Sequence, residues 1–365
     1  MYLFSIVQSK SGLLLVALLI CVGFNPVSAQ TGTWKKLDTQ PYLGNQDDIS
    51  FINEKEGWYI NGDGKLYKTT NGGTSWKKQW ERPGSFFRAI VFLDDRVGFL
   101  GTVGTNYFPN VNDGVPLYCT TDGGDSWEPV AYEGPKIKGV CAIDLVKERI
   151  IKHGKINYKT HLFAVGRVGS PANIMVSHDG GKNWLSQSMN GEAKMLLDIK
   201  MFDKDNGIIC GATSADIAQS NALVLKTSDG GNTWKKVYQS KRPYETAWKL
   251  SFPTRDVGYL TIQSYNPNTE LKQQRVAKTI DGGENWEELD LVEDEQARPF
   301  GVGFIDENHG FVGTYTSGYE TRDGGQTWSP TDLGFACNKI RFYRDDTGSL
   351  FGYAIGVSVL KYVVR

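Results

Sequence analysis

The octapeptide Thr227-Ser228-Asp229-Gly230-Gly231-Asn232-Thr233-Trp234 is one copy of the repeat that predicts the fold of this chain. Its pattern, Thr/Ser-x-Asp/Asn-Gly-Gly-x-Ser/Thr/Asn-Trp, occurs six times in the 365 residues. The copies span residues 69–76, 120–127, 177–184, 227–234, 279–286 and 321–328. Successive tryptophans are 51, 57, 50, 52 and 42 residues apart, a spacing typical of four-stranded propeller blades.

The chemistry of the octapeptide predicts a tight hairpin turn. The Asp side chain accepts hydrogen bonds from backbone amides of its own turn, the two glycines adopt positive φ, and the Trp packs on the blade. The residues expected to have this structural role are Asn71, Asp122, Asp179, Asp229, Asp281 and Asp323, with Trp76, Trp127, Trp184, Trp234, Trp286 and Trp328. A calcium loop would need further carboxylates and a closing Glu, so no metal is predicted.

A second repeat precedes each octapeptide and consists of an apolar strand, a polar turn, and a Gly that begins another apolar strand. Its seven copies start near residues 49, 89, 142, 197, 250, 303 and 340. In the third copy a basic insertion, 147–159, is expected to lengthen the turn. Seven copies predict seven blades.

The two ends of the chain supply the missing octapeptide. Residues 357–362 resemble 222–227, which precede the fourth octapeptide, and 32–36 resemble 232–236, which end it. Trp34 is therefore expected at the position of the other repeat tryptophans, with its strand paired to 358–362. The sequence predicts an all-β, seven-bladed β-propeller that is closed by pairing the N-terminal strand with the C-terminal blade, which removes exposed sheet edges.

With these repeats the chain resembles the sialidase-type Asp-box (BNR) propellers, and most of all the photosystem II assembly and stability factor family. The resemblance extends over residues 32–365. Asp-box propellers also occur in sialidases, xyloglucan hydrolases and sortilin-type receptors, so the motif is more specific for fold than for function. In the family that it most resembles, the propeller is a non-enzymatic chaperone that binds a membrane-protein segment during assembly. We call the octapeptide the Asp box from here on.

The N-terminal segment is typical of a secretory signal peptide. Lys10 precedes an apolar run at 13–24, and the small-residue site 27–29 follows. The run is about a dozen residues long, which is short of the roughly 20 needed to span a membrane. We expect a signal peptide at 1–29, a propeller at 30–365, and export to the periplasm, cell envelope or exterior. A lipid anchor at Cys21 is the alternative, although Ile20 is bulky for that motif.

Overall charge and cysteine content exclude some functions. A net charge of −1 gives no general electrostatic attraction to nucleic acid or an anionic membrane, so any charged site must be local. Cys119, Cys141, Cys210 and Cys337 lie in apolar strand-like stretches without metal-ligand spacing. We expect buried thiols, with disulfides as the alternative in an oxidising compartment.

The binding surface is expected on the rim opposite the Asp boxes, where the loops are longer and more varied. Loops at 102–116, 212–221 and 263–275 and three Arg-Pro pairs lie on this rim. The candidate binding residues are Arg88, Arg242, Arg298, Arg167, Arg275, Tyr107, Phe108, Tyr244, Trp248 and Tyr265. Aromatic and guanidinium groups suit a carboxylate-bearing partner, whereas the alternative is that these are solvated loop arginines.

Catalysis is the alternative to binding. The four histidines are scattered and form no triad, and the Arg-Ile-Pro motif of sialidases does not occur. A glycosidase needs only two carboxylates across a cleft, and Glu81, Glu133, Glu245, Glu293 and Glu295 are candidates on interblade loops. Xyloglucan hydrolases, however, use two facing propellers. We expect a monomeric, non-enzymatic propeller without a cofactor that binds a protein segment, with a carbohydrate-binding or glycoside-hydrolase propeller as the alternative.

Overall fold

The computed structural model describes residues 8–9, 12–13, 32–152, 154–268, 270, 272–345 and 347–364. Most of the expected signal peptide, 1–29, lies outside these residues. Within it, strand β1 (Gln8–Ser9) pairs with β2 (Gly12–Leu13). The remainder, Gly32–Arg365, forms one compact unit.

Seven four-stranded antiparallel sheets make up the compact unit. Blade 1 contains β4 (Gln46–Phe51), β5 (Gly57–Asn61), β6 (Lys65–Thr69) and β7 (Lys77–Glu81). Blade 2 contains β8 (Phe87–Phe92), β9 (Gly98–Thr102), β10 (Leu117–Thr120) and β11 (Glu128–Pro129). Blade 3 contains β12 (Ala142–Lys152), β13 (Lys155–Gly166), β14 (Asn173–Ser177) and β15 (Leu185–Ser188).

The other four blades have the same strand order. Blade 4 contains β16 (Met195–Met201), β17 (Gly207–Ala212), β18 (Ala222–Thr227) and β19 (Lys235–Gln239), with a short 3-10 helix at Ile217–Gln219. Blade 5 contains β20 (Glu245–Ser251), β21 (Gly258–Ser264), β22 (Gln273–Thr279) and β23 (Glu287–Glu293). Blade 6 contains β24 (Pro299–Phe304), β25 (Gly310–Thr314), β26 (Gly318–Thr321) and β27 (Ser329–Thr331). Blade 7 contains β28 (Lys339–Arg344), β29 (Leu350–Ile355), β30 (Val359–Val364) and β3 (Gly32–Lys36).

The blades form a closed ring. The first strand of each blade contacts the first strand of the next, and β28 of blade 7 contacts β4 of blade 1. The N-terminal strand β3 completes blade 7 by pairing with β30, as predicted. The predicted register was wrong by two residues, because β3 pairs with 360–364 rather than 358–362. The seven-bladed propeller is thereby confirmed.

The Asp boxes have the predicted chemistry. In blade 2, Asp122 Oδ1 accepts a hydrogen bond from the Ser126 amide at 3.0 Å. The Thr120 hydroxyl donates to Asp122 and accepts from the Gly124 amide, and Trp127 Nε1 donates to the Gly124 carbonyl at 3.2 Å. Both glycines of this box have positive φ, 77° and 97°, as expected for a position that favours glycine. The boxes are therefore self-contained turns.

The Gly-aromatic step of the second repeat joins neighbouring blades. Trp58 of β5 stacks on Phe92 of the next blade at a centroid distance of 3.5 Å, and Tyr259 of β21 stacks on Phe304 in the same way. Gly57 precedes Trp58, and a Cβ at Gly57 would lie 2.5 Å from the Phe51 ring. Position 57 thus requires glycine, because any larger side chain would collide with the Phe51 ring of the same blade.

Three local expectations need correction. The 147–159 insertion does not lengthen a turn, since it extends β12 and β13 into one long hairpin. The third long loop is shorter than expected because β21 continues to Ser264 and β22 begins at Gln273. Of the four cysteines described, all are free thiols, but Cys119 is only partly buried.

No helix in the described ranges is long and apolar enough to cross a membrane.

Candidate functional site

A cavity of about 730 Å³ opens on the rim opposite the Asp boxes. Interblade connections and the loop between β9 and β10 surround its mouth, and the first strands of several blades form its floor. Its lining includes Tyr42, Asp47, Phe86, Arg88, Tyr107, Phe108, Val168, Trp248, Tyr265, Phe300 and Asn338. The cavity is large enough for several side chains of a bound segment, because ligand sites typically measure about 300–1,000 Å³.

Aromatic rings form one wall of the cavity. Phe108 stacks on Phe86 with ring centroids 4.4 Å apart, and Tyr107 meets Phe108 edge to face at 4.7 Å. Tyr107 and Phe108 are 44% and 37% exposed, so both rings offer apolar surface to a ligand. Exposed aromatic rings in a concave site are typical anchors for a partner.

Arg167 holds this wall in place from behind. Its Nη1 donates to the carbonyls of Val103 and Thr105 at 3.1 and 2.7 Å, and its Nε donates to the Ser170 carbonyl at 3.2 Å. The side chain is buried, and burial lowers its pKa. Arg167 therefore positions the 102–116 loop and does not present a free charge to a ligand.

A buried ion pair between Arg88 and Asp47 forms the floor. The Arg88 guanidinium also lies 5.3 Å from the centre of the Trp248 ring. Trp248 Nε1 donates to Asn338 Oδ1, and Asn338 Nδ2 donates to the Asp47 carbonyl, both at 3.1 Å. Burial raises the pKa of Asp47 to about 7 even though Arg88 acts in the opposite direction. The other carboxylate oxygen, Asp47 Oδ2, has no hydrogen-bond partner among the described residues.

Below the floor, charged side chains connect the first strands of the blades. Asp48 is paired with Arg341 at 2.9 Å, and Asp198 is paired with Lys339 at 3.0 Å. Asp48 also accepts from the Ile90 amide of the next blade, and Asp198 accepts from the Leu250 amide. These carboxylates fasten one blade to the next, which is a structural role.

The sequence comparisons agree with this architecture. The BNR/Asp-box repeat family matches residues 319–330, which overlap the sixth box. This chain is an Asp-box repeat propeller. It is 47% identical over 49 residues to the photosystem II assembly lipoprotein Ycf48 of Prochlorococcus marinus, 13% of this chain and 14% of that protein. It is 29% identical over 147 residues to the Ycf48 of a Synechococcus strain, 40% of this chain and 35% of that protein. The alignments thus span about a third or less of these relatives.

Solved structures share the fold of this Asp-box propeller. A structure described as YCF48 bound to D1 peptide has a TM-score of 0.61 at 19% identity, covering 92% of this chain and 97% of that one. YCF48 from Cyanidioschyzon merolae has a TM-score of 0.61 at 18% identity, covering 90% and 98%. An ancestral GH74 enzyme has a TM-score of 0.60 at 15% identity, covering 91% of this chain and 46% of that one. At these identities the three matches show likeness of fold alone.

The candidate binding residues of the propeller fall into two groups. Arg88, Tyr107, Phe108, Trp248 and Tyr265 meet at the cavity. Arg242 and Arg298 line separate depressions instead.

The arginines outside the cavity have partners within the chain. Arg242 is paired with Glu245 at 2.6 Å and with Glu288 at 2.8 Å. Arg275 lies 3.6 Å from Asp290, and the Arg298 guanidinium lies 4.7 Å from the centre of the Tyr265 ring. Tyr244 has a left-handed φ of 65°, and its carbonyl accepts from the Tyr265 amide. The structure therefore places Arg88, Arg242 and Arg298 in three different depressions.

Several cavity residues were not among the candidate binding residues predicted from the sequence. Asp47, Phe86, Phe300 and Asn338 lie next to interblade connections, but nothing in the local pattern indicates that they share one space. Among the candidate glutamates, Glu245 begins strand β20 instead of lying on an interblade loop, and burial raises its pKa. The Arg-Pro pairs were the one sequence signal near these residues, since Phe86 follows the first pair.

Two histidines that looked scattered are in contact. His161 Nδ1 lies 2.8 Å from His178 Nδ1, and His161 Nε2 lies 3.1 Å from Glu148. The pair lies at the base of the long blade 3 hairpin, and His178 is part of the third Asp box. No cluster of three or more His, Cys, Asp or Glu residues within the described portion is arranged to hold a metal.

Proposed function

We propose that this chain is an exported, non-enzymatic binding propeller that holds a segment of another protein in the central cavity, as an assembly factor or chaperone does. The observation that carries the proposal is the cavity of about 730 Å³ with exposed Tyr107 and Phe108 at its mouth. Relatives named as photosystem II assembly lipoproteins, and a fold relative described as bound to a D1 peptide, support a peptide-binding role.

The floor favours a particular kind of segment. Arg88 is already paired with Asp47, so its charge is largely satisfied, whereas Asp47 Oδ2 is a buried acceptor without a partner in the described chain. A buried acceptor gains most from a ligand that brings a hydrogen-bond donor. We therefore propose an aromatic or aliphatic anchor against Phe86, Phe108 and Phe300, next to an N–H group that reaches Asp47. This replaces the carboxylate-bearing partner expected from the arginines.

The glycosidase alternative has less support. Such an enzyme needs two carboxylates across a cleft, one of them free to donate a proton. Asp47 is held by Arg88, and Glu245 is held by Arg242 at 2.6 Å. The two carboxylates also lie in different depressions, Asp47 in the central cavity and Glu245 in a separate one, so they do not face each other across one cleft.

Affinity capture from native membranes of the source organism tests the proposal. The bait is the wild-type propeller, compared with the double variant Tyr107→Ala/Phe108→Ala. We expect wild type to recover one membrane protein or its precursor, and the variant to recover at least tenfold less, since anchor residues each contribute about 2 kcal/mol or more. Phe335→Ala is the matched control, because Phe335 is 63% exposed on an interblade connection. Recovery of glycans, or equal recovery by the double variant, would contradict the proposal.

A further inference from the structure

The first hairpin of blade 3 projects beyond the propeller. Strands β12 and β13 pair over eleven positions, from Ala142↔Val165 to Lys152↔Lys155. The next strand, β14, pairs only with residues 162–166, so the outer part is a ribbon of two strands. In the other blades the first two strands pair over six positions at most. The blade core does not require this extension.

The ribbon carries exposed apolar side chains on one face. The register places Ile151 opposite Ile156 and Arg149 opposite Tyr158. Alternate residues of a strand share a face, so Ile156 and Tyr158 lie on the same side, together with Ile151. Their exposed fractions are 68% for Ile151, 54% for Ile156 and 64% for Tyr158. Three large side chains clustered at the tip of one hairpin point to a binding role rather than to scattered surface residues.

The same ribbon is strongly basic. Residues 147–159 contain five Lys or Arg and one acidic residue, in a chain whose net charge is −1. The acidic residue, Glu148, is engaged with His161 Nε2 at 3.1 Å. Arg149 is exposed on the apolar face, and Lys155 and Lys159 are exposed on the opposite face of the same ribbon. The tip therefore combines apolar side chains with flanking positive charge.

The base of the ribbon is braced against the blade. His161 contacts both Glu148 and His178, and His178 belongs to the third Asp box. Since the first-to-second strand turn and the Asp box lie on one rim, the tip extends from the rim opposite the central cavity. The ribbon is thus held in a defined direction away from the binding cavity.

We propose that this hairpin docks the propeller on an anionic lipid surface, with Ile151, Ile156 and Tyr158 entering the headgroup region. The ribbon meets the surface tip first, so basic residues of both faces contact the lipid phosphates: Arg149 on the apolar face, and Lys155 and Lys159 on the opposite face. A two-stranded tip offers far less area than the roughly 800 Å² that each partner buries in a stable protein interface. Interfacial lipid binding needs only a few buried apolar side chains and adjacent basic residues, which is the combination present here. Docking in this way turns the cavity away from the bilayer, and it does not depend on what the cavity binds.

Vesicle co-sedimentation tests the proposal with the compact unit, Gly32–Arg365. The probes are vesicles of equal parts phosphatidylglycerol and phosphatidylcholine, and vesicles of phosphatidylcholine alone. We expect at least fivefold more binding to the anionic vesicles, and less binding as salt concentration rises. Two triple variants should each bind the anionic vesicles at least fivefold less than wild type. They are Ile151→Ser/Ile156→Ser/Tyr158→Ser and Arg149→Gln/Lys155→Gln/Lys159→Gln.

Ile280→Ser is the matched control, because Ile280 is 72% exposed within the Asp box of blade 5 on the same rim. It should bind as wild type does. A Tyr158→Trp variant should also show a blue shift of its added fluorescence with anionic vesicles, relative to wild type. Melting temperatures near wild type confirm that the exposed substitutions leave the fold intact. Failure of wild type to bind anionic vesicles overturns the proposal, as does unchanged binding by either triple variant.

Discussion

Trp34 and Tyr362 face each other across the strands that close the ring. Their backbones are paired, and their ring centroids lie 5.1 Å apart. Trp34 also meets Phe311 of blade 6 edge to face at 5.3 Å. One N-terminal side chain thus joins the last blade to its neighbour.

Replacing Trp34 by Ala should destabilise the whole propeller. The indole is partly buried among three rings, so we expect a loss of about 2–4 kcal/mol, toward the low end of the range for fully buried aromatic residues. Urea denaturation followed by circular dichroism measures the change. Thr33→Ala, at an exposed position of the same strand, is the control. An unchanged midpoint for Trp34→Ala would mean that the N-terminal strand does not contribute to closure.

Asp229→Ala should lower stability by about 1–2 kcal/mol without affecting partner capture, because the Asp boxes lie on the rim opposite the cavity. Asp229 accepts from the Thr233 amide at 2.9 Å and from the Thr227 hydroxyl at 2.9 Å. Asp229→Asn should keep most of the stability, since Asn71 makes the equivalent bond to the Ser75 amide at 2.9 Å. Thermal melting with and without calcium is the measurement. Calcium-dependent melting that disappears in Asp229→Ala would contradict a purely structural role.

Lys249 should make the stability of the propeller depend on pH in the alkaline range. Burial lowers its pKa from 10.5 to about 8. Between these values the folded state binds fewer protons than the unfolded state, so stability rises as pH rises through this window. The free energy of unfolding of the wild type should therefore increase, relative to that of Lys249→Met, by up to about 3 kcal/mol between pH 8 and 10. Chemical denaturation at pH 7, 8, 9 and 10 tests this. Parallel profiles for the two proteins would show that Lys249 does not titrate there.

Arg167→Ala should loosen the loop that carries Tyr107 and Phe108. The substitution removes the donors to the Val103 and Thr105 carbonyls, and hydrogen bonds of a charged donor contribute about 1.5–3 kcal/mol each. We expect faster proteolysis within 103–111 and weaker partner capture. Arg255→Ala is the comparison, because Arg255 pairs with Asp203 on the opposite rim. Cleavage of this loop at the wild-type rate would exclude the positioning role of Arg167.

Sequence and structure agree best where the interactions are local. The bonds of Thr120, Asp122 and Ser126 lie within one turn, so the pattern of residue types was enough to predict them. Arg242 illustrates the opposite case. It looked like a free loop arginine, but Glu288, which lies 46 residues further along the chain, holds it at 2.8 Å.

Residue order alone was enough to predict the seven blades, the Asp-box turns and closure by the N-terminal strand, because each depends on short repeats whose partners lie at regular spacings. The three-dimensional packing of the blades, in contrast, was needed to establish which charged side chains pair, which aromatic rings share the cavity, and that His161 meets His178. Those contacts join residues tens to hundreds of positions apart, such as Asn338 and Asp47. Their choice follows from how the blades pack around the axis, and a one-dimensional pattern does not encode that packing.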